Sequence, residues 1–203
     1  NIADLMQEKL QGNLQKLRKF PVENWGAFTL YLGVNEDCIP KDFPLHHQII
    51  RRKPLAEGNS LFVSISPEWD LNRAPRGKRA ITISTHTRLQ QWWDLFENDL
   101  PAYEHKRNNM VEIIYEGLGT VFPNIRAASD LILPGTPITF QRYTGRKFGW
   151  VGGFPQISLF QTFHPRIADN FWMVGDSIFP GQSTAAVALG AMRVSREIMR
   201  EMK

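Results

Sequence analysis

The stretch Phe171-Trp172-Met173-Val174-Gly175-Asp176-Ser177-Ile178-Phe179-Pro180-Gly181-Gln182-Ser183-Thr184-Ala185-Ala186-Val187-Ala188-Leu189-Gly190 decides how this chain is read. An apolar run leads to a Gly-Asp pair, a Pro-Gly turn, a Ser-Thr cap and an alanine-rich segment, an order that predicts buried strand, turn and helix start. Glycine at the end of a strand lets a ligand come close to the backbone. An acidic side chain just beyond it, here Asp176, can accept hydrogen bonds from sugar-type hydroxyls. The new helix presents unsatisfied N–H groups and the positive end of its dipole, which favour a ligand atom that carries or gains negative charge, as a reduced flavin does. On spacing alone, an ordinary capped helix after a buried strand accounts for the same residues.

Working back toward the N-terminus, the segment from Thr136 to Gln156 is rich in glycine and aromatic residues. Such glycines allow close approach to a flat ring, and they equally suit turns joining two strands. Before it, Thr87 can cap a helix in which Leu89, Trp92, Trp93 and Phe96 share a face. After Pro101 a second helix is expected, with Met110, Ile113, Ile114, Gly117, Leu118 and Val121 on one side and Pro123 as its stop. Four strands are expected still earlier, at Trp25 to Val34, Gln48 to Arg52, Ser60 to Ser66 and Arg79 to Thr85, separated by Pro, Gly and Asn signals. Their spacing suggests an antiparallel sheet, covered on one side by the two helices and free on the other to cover a long apolar ligand. Ile2, Leu5, Met6, Leu10, Leu14 and Leu17 recur at helical spacing, so an amphipathic helix is expected to end before Pro21.

Composition excludes several classes of function. The 203 residues are 42% apolar and carry 24 basic and 20 acidic side chains, a net charge of +4 that falls short of a dedicated nucleic-acid binder. The basic clusters Arg51-Arg52-Lys53 and Arg73 to Arg79 read as solvated turns, or as contacts for anionic lipid headgroups. The longest stretch without a charge, Ser177 to Met192, is too short to span a bilayer and contains the Pro-Gly turn. A single cysteine, Cys38, excludes an internal disulfide. His46 and His47 are expected just before a strand and His86 just after one; neighbours in extended chain point to opposite sides, so the pair is a poor chelator and no metal site is expected. No nucleophile-elbow or paired-acid context surrounds Ser177, Ser183 or His164, and no catalytic side chain is expected. His164 is expected to be structural, in the turn with Pro165.

The segment Asn170 to Val194 resembles the C-terminal FAD motif of the carotenoid desaturase and isomerase family, within the amine-oxidase-like flavoproteins. Ser66 to Gly77, and Gly135-Thr136-Pro137-Ile138-Thr139-Phe140 through Gly149-Trp150-Val151-Gly152-Gly153, fit the same family. Phe179 to Ala185 is most similar to the C-3',4' desaturases. The resemblance implies an α+β architecture. Residues 1–135 would be part of an antiparallel or mixed-sheet substrate-binding domain covered by helices, and 136–203 would supply the last strand and helix of a Rossmann-like FAD-binding domain. It implies FAD held at Gly175, Asp176, Gly181, Gln182, Ser183, Thr184, Ala186 and Val187, with Gly153 beside the flavin, and a carotenoid substrate.

The activity so implied is desaturation of a polyene with hydride passing to the flavin. The alternatives are cis-trans isomerisation by reduced flavin, or a non-catalytic apolar-ligand or membrane-surface module. The pyrophosphate loop of the family, Gly-x-Gly-x-x-Gly, has no match: Gly117-Leu118-Gly119 closes a helix and Gly152-Gly153 lacks the third glycine. The chain is therefore expected to be a C-terminal portion of a longer enzyme and inactive alone. A cytoplasmic, peripherally membrane-associated location and self-association through apolar surface at its C-terminal end are expected too.

Overall fold

The computed structural model describes residues 25–151, 164–181 and 183–202. The helix expected before Pro21, and the positions Gly152, Gly153 and Gln182, lie outside the described residues. The described residues up to Trp150 form one compact unit and those from Val151 onward another.

The first unit is built on β1 (Trp25–Asn35), β2 (His46–Ile50), β3 (Ser60–Ile65), β4 (Lys78–Arg88) and β5 (Ser129–Gly135). They form one sheet in the order β2-β3-β4-β1-β5, with every pairing antiparallel. Strict alternation in β1 and β4 sends Phe28, Leu30, Leu32 and Val34 to the same face as Ile81 and Ile83, because Leu30 pairs with Ile83 and Leu32 with Ile81. That face is covered by α1 (Leu89–Asn98) and α2 (Leu100–Gly119), which contribute Trp92, Tyr103, Met110, Ile114, Tyr115 and Leu118 to a single core. Gly117 lets α2 lie against β3: a Cβ there would stand 2.6 Å from the Leu61 side chain.

Several local expectations change. His46, His47 and His86 lie inside strands rather than beside them. Thr87 belongs to β4 and does not cap α1, whose N-cap is Arg88 with no side-chain cap; the Thr87 hydroxyl is occupied by the buried indole N–H of Trp92 and by Glu57. Asp99 caps α2 by accepting from the Ala102 N–H at 3.0 Å, and Pro101 falls in the first turn, where its missing donor costs nothing. Two elements have no counterpart in the expected set. Strand β5 ends in Pro134-Gly135, which reads as a turn but is tolerated on a sheet edge. Helix α3 (Pro137–Thr144) replaces the expected turns; Thr136 and Thr139 form a reciprocal capping box at its start, and Gly145 ends it at φ 67°.

The second unit holds β6 (Arg166–Ala168), β7 (Phe171–Trp172) and α4 (Thr184–Glu201). The expected buried strand Phe171 to Val174 is shorter and less buried. Only Phe171 and Trp172 join a ladder, an antiparallel pairing with β6, and Val174 is exposed. Met173, Ile178 and Val194 form a small core packed by Ile167, Trp172 and Ile198.

Candidate functional site

Two surfaces answer to the expectations, one in each unit. In the sheet unit, the face away from α1 and α2 carries side chains one register position out of phase with the core. Tyr31 pairs across to Leu133 on one side and Thr82 on the other, and Thr82 pairs onward to Ser64. The adjoining row runs Gly135, Thr29, Ser84, Phe62 and Gln48. Tyr31, Phe62, Leu131 and Leu133 are each exposed, set among the small hydroxyls of Thr82, Ser64 and Ser84. Gly33 keeps the middle of this face low; a Cβ there would stand 3.1 Å from Leu131 Cβ.

Charge is confined to the two ends of the long β1–β4 pair. At one end the Arg88 guanidinium lies 5.5 Å from the centre of the Trp25 ring; at the other, Lys78 donates to Asn35 and pairs with Asp130. Between them, about 33 Å of strand at roughly 3.3 Å per residue presents apolar and hydroxyl groups, with one exception, the exposed imidazole of His86 beside the Arg88 end. Such a face can lie along an elongated uncharged molecule without desolvating an ion.

His46 and His47 diverge from β2 as alternation requires. His46 stacks on Phe62 at 5.8 Å on the open face, while His47 meets Phe43 at 5.1 Å. Among the described residues no three of His, Cys, Asp and Glu gather where they could hold a metal ion.

In the second unit, the chain turns from β7 into α4 through two glycines that only glycine suits, Gly175 at φ 134° and the buried Gly181 at φ 110°. A Cβ on Gly175 would meet nothing within 4 Å, so the backbone is open to a ligand there. Asp176 is half-buried and accepts from the Ser177 hydroxyl at 3.4 Å. Ser183 is the N-cap of α4: its hydroxyl accepts from the Ala186 N–H at 3.1 Å and its carbonyl from the Val187 N–H at 2.8 Å. The first N–H groups of the helix, on Thr184 and Ala185, have no intrahelical acceptor by the geometry of a helix start. Ala186 and Val187 are half-buried on the first turn. Gly190 admits Ile178, the nearest side-chain atom to a Cβ at 3.5 Å, and so seats the turn on the helix.

The sequence-derived positions Gly175, Asp176 and Gly181 therefore lie between β7 and α4, and Ser183 and Thr184 at the start of α4. Their chemistry, open backbone, one carboxylate and free N–H donors, fits the sugar and phosphate portion of a dinucleotide. His164 is exposed and its Nδ1 accepts from the Arg166 N–H at 3.2 Å, a turn-forming role. Reading of the sequence overlooked Arg166, which pairs with Asp169 at 2.9 Å and Glu201 at 3.1 Å and so ties the hairpin to the far end of α4. Isolated ion pairs of this kind leave no trace in sequence spacing.

No helix among the described residues is long and apolar enough to cross a membrane. No family model matches the chain. It is similar to "Prolycopene isomerase, chloroplastic" of Arabidopsis thaliana, with 30% identity over 211 residues that cover 98% of this chain and 35% of that protein. It is similar also to the protein of the same name from Daucus carota, 28% identical over 206 residues, 98% of this chain and 33% of the relative. Prolycopene isomerase 2 of an Oncidium hybrid cultivar matches at 27% identity over 99% of this chain. The chain spans about a third of the length of these curated relatives, and each of the three carries the name of an isomerase rather than a C-3',4' desaturase.

Proposed function

We propose that this chain belongs to an enzyme that isomerises double bonds of a carotenoid, its relatives being named prolycopene isomerases. The similarity to prolycopene isomerases over 98% of the chain carries this reading, because it takes in both the sheet unit and the turn before α4. It moves isomerisation, expected only as an alternative, ahead of desaturation. Desaturation keeps one observation in its favour, the likeness of Phe179 to Ala185 to the C-3',4' desaturases. The location follows the relatives, whose names place them in the chloroplast, in place of the expected cytoplasm.

In this reading the open sheet face lies along the polyene. Tyr31, Phe62, Leu131 and Leu133 offer apolar contact, and the scarcity of charge there keeps water and ions from competing for the conjugated chain. FAD would be held by the backbone at Gly175, by Asp176 and by the N–H groups at the start of α4, and when bound would supply the electron-rich ring chemistry that the side chains lack. The positive end of α4 favours negative charge on a group bound there, so it disfavours release of that group in its reduced, anionic form.

The discriminating experiment uses the full-length protein with prolycopene and reduced FAD, without an electron acceptor. The isomerase reading expects a product of unchanged mass and altered ultraviolet-visible spectrum. A product lighter by two hydrogens, formed only when an acceptor is supplied, would restore the desaturase. A flavin titration stands beside it: Gly175→Val is expected to weaken FAD binding at least tenfold, since it adds a side chain where the backbone is open and at a φ that L-residues avoid.

A further inference from the structure

Where β2 runs out, on the covered side of the sheet, a cleft of about 630 Å³ opens between the following loop and α2. Ile49, Ile50 and Ile113 give it an apolar wall. Its volume is in the range that small-molecule sites take. Glycines shape both sides. Gly58, at φ 82°, lets the loop close on α2, since a Cβ there would stand 2.5 Å from the Ile113 side chain. Gly117 admits the stem of Arg51, 3.0 Å from where a Cβ would be. Ala56 and Glu57 take positive φ as well, 80° and 48°, a region that residues with side chains avoid and that persists only where surrounding contacts hold it, as at ligand clamps. Here the Glu57 N–H donates to the His86 carbonyl at 2.8 Å and the Gly58 N–H to the Thr85 hydroxyl at 3.0 Å.

Of the four charged side chains that line the cleft, three are already matched. Arg51 pairs with Glu116 at 2.7 Å and donates to the Gly58 carbonyl at 3.3 Å. The Glu57 carboxylate accepts from the Thr87 hydroxyl and the Arg88 N–H, and its charge is felt by the Lys106 ammonium. Arg52 is the exception. Among the described residues its side chain makes one hydrogen bond, from Nε–H to the Asn59 Oδ1 at 2.7 Å. Asn59 is itself fixed: its Nδ2 donates to the Pro54 carbonyl at 2.8 Å, its N–H to the Ala56 carbonyl at 2.8 Å, and its carbonyl accepts from the Arg51 N–H at 2.7 Å. The Arg52 guanidinium is thus oriented from behind, with its two terminal nitrogens unspent. Such a fork matches the two oxygens of a carboxylate. A phosphate dianion fits less well, because the Glu57 and Glu116 carboxylates line the same cleft and repel a second negative charge.

We propose that this cleft binds a small carboxylate with an apolar body, its two oxygens on the Arg52 fork and its chain along Ile49, Ile50 and Ile113. One oriented cation selects a single anionic head, and the isoleucine wall selects what is attached to it. The site is separate from the open sheet face and stands independently of the carotenoid reading.

The test is calorimetric titration of the 203-residue chain with octanoate at neutral pH. Octanoate is expected to bind saturably at one site. Acetate lacks the apolar body, octanol lacks the charge and inorganic phosphate carries too much of it, and each should bind at least about tenfold more weakly. Arg52→Gln removes the fork and should weaken octanoate about tenfold, and Arg52→Lys, which keeps the charge without the fork, should recover only part of that loss. Ile50→Ser should weaken octanoate about threefold and leave acetate unchanged. Arg52 and Ile50 are both exposed, so all three variants should melt with the parent. No saturable binding of octanoate by the parent overturns the proposal. Equal binding by Arg52→Gln and the parent also overturns it, by placing the ligand elsewhere on the chain. Phosphate bound as tightly as octanoate would make the cleft a general anion site and overturn the proposal too.

Discussion

The indole N–H of Trp92 donates to the Thr87 hydroxyl at 2.8 Å, and both residues are wholly buried. The same hydroxyl lies 3.1 Å from a Glu57 carboxylate oxygen, so it accepts from Trp92 and donates to Glu57. Glu57 also accepts from the Arg88 N–H at 2.6 Å. One hydroxyl therefore joins the 51–59 loop, the end of β4 and the first turn of α1. Thr87→Val keeps the shape and leaves a buried indole N–H without an acceptor, and it should lower stability by about 2 to 3 kcal/mol. Thr87→Ser restores the hydroxyl and should recover most of that loss. Urea denaturation of the three chains checks this; a valine variant as stable as the parent would mean that the hydroxyl contributes nothing net.

Gly149 packs against the start of α3 so closely that a Cβ would stand 1.8 Å from the Pro137 carbonyl oxygen, at a backbone φ of 66°. Gly77 has nearly the same φ, 75°, and open space around it. Alanine at Gly77 should therefore cost only the backbone strain, about 1 kcal/mol. At Gly149 it should cost roughly 3 kcal/mol or more, because helix α3 must shift to admit it. Thermal melts of the two variants measure the difference directly, and equal losses would mean that the approach of Gly149 to Pro137 is not tight in solution.

Burial pushes the Cys38 thiol above its usual range, and the neighbouring Asp37 charge adds to the effect. The folded chain thus holds the thiol proton at a pH where the unfolded chain has begun to lose it. Stability from this group is complete below the unfolded thiol's pKa and falls as pH rises through the folded one. Two measurements follow. Iodoacetamide should label Cys38 in the native chain more slowly at pH 8 than in urea, after correction for the denaturant's effect on a free thiol. Native labelling should keep rising with pH beyond the point where the unfolded thiol has saturated. A native rate equal to the unfolded one at pH 8 would remove the argument.

The sheet and its two covering helices were legible because their signals are periodic. Alternation in Phe28-Thr29-Leu30-Tyr31-Leu32 and the spacing of Met110, Ile114 and Leu118 state burial directly, and each is satisfied by the core that forms. Where residues carried two meanings, reading failed. Thr87 can cap a helix or satisfy a buried indole, and the partner that decides, Trp92, is itself placed by tertiary packing. Pro134-Gly135 and Thr136-Pro137 look like one long turn, yet the first pair ends an edge strand and the second opens a helix, because an edge strand needs hydrogen bonds on one side only. In the second unit the order of turn, cap and helix was legible from Gly175 to Thr184, while the shortness of β7 was not: an apolar run such as Phe171 to Val174 does not say how many strands will flank it.

The open face of the sheet yields the prediction that bears most on function. Tyr31 and Leu133 are cross-strand partners, 42% and 51% exposed, so neither holds up the core. Tyr31→Ser/Leu133→Ser should leave the stability of the chain within about 0.5 kcal/mol of the parent, the usual range for exposed positions. If this face lies along the polyene, the same double change removes apolar contact from bound substrate. In the full-length enzyme it should raise KM for the carotenoid about tenfold while kcat changes little, because contact of this kind is made in ground state and transition state alike. Serine, unlike a charged residue, adds no ion whose desolvation would confuse the result, and the face already carries serine at 64 and 84. Melting curves and steady-state kinetics on one variant thus separate a binding face from a structural one. A variant that melts with the parent and keeps its KM would place the polyene elsewhere, whatever the activity of the enzyme proves to be.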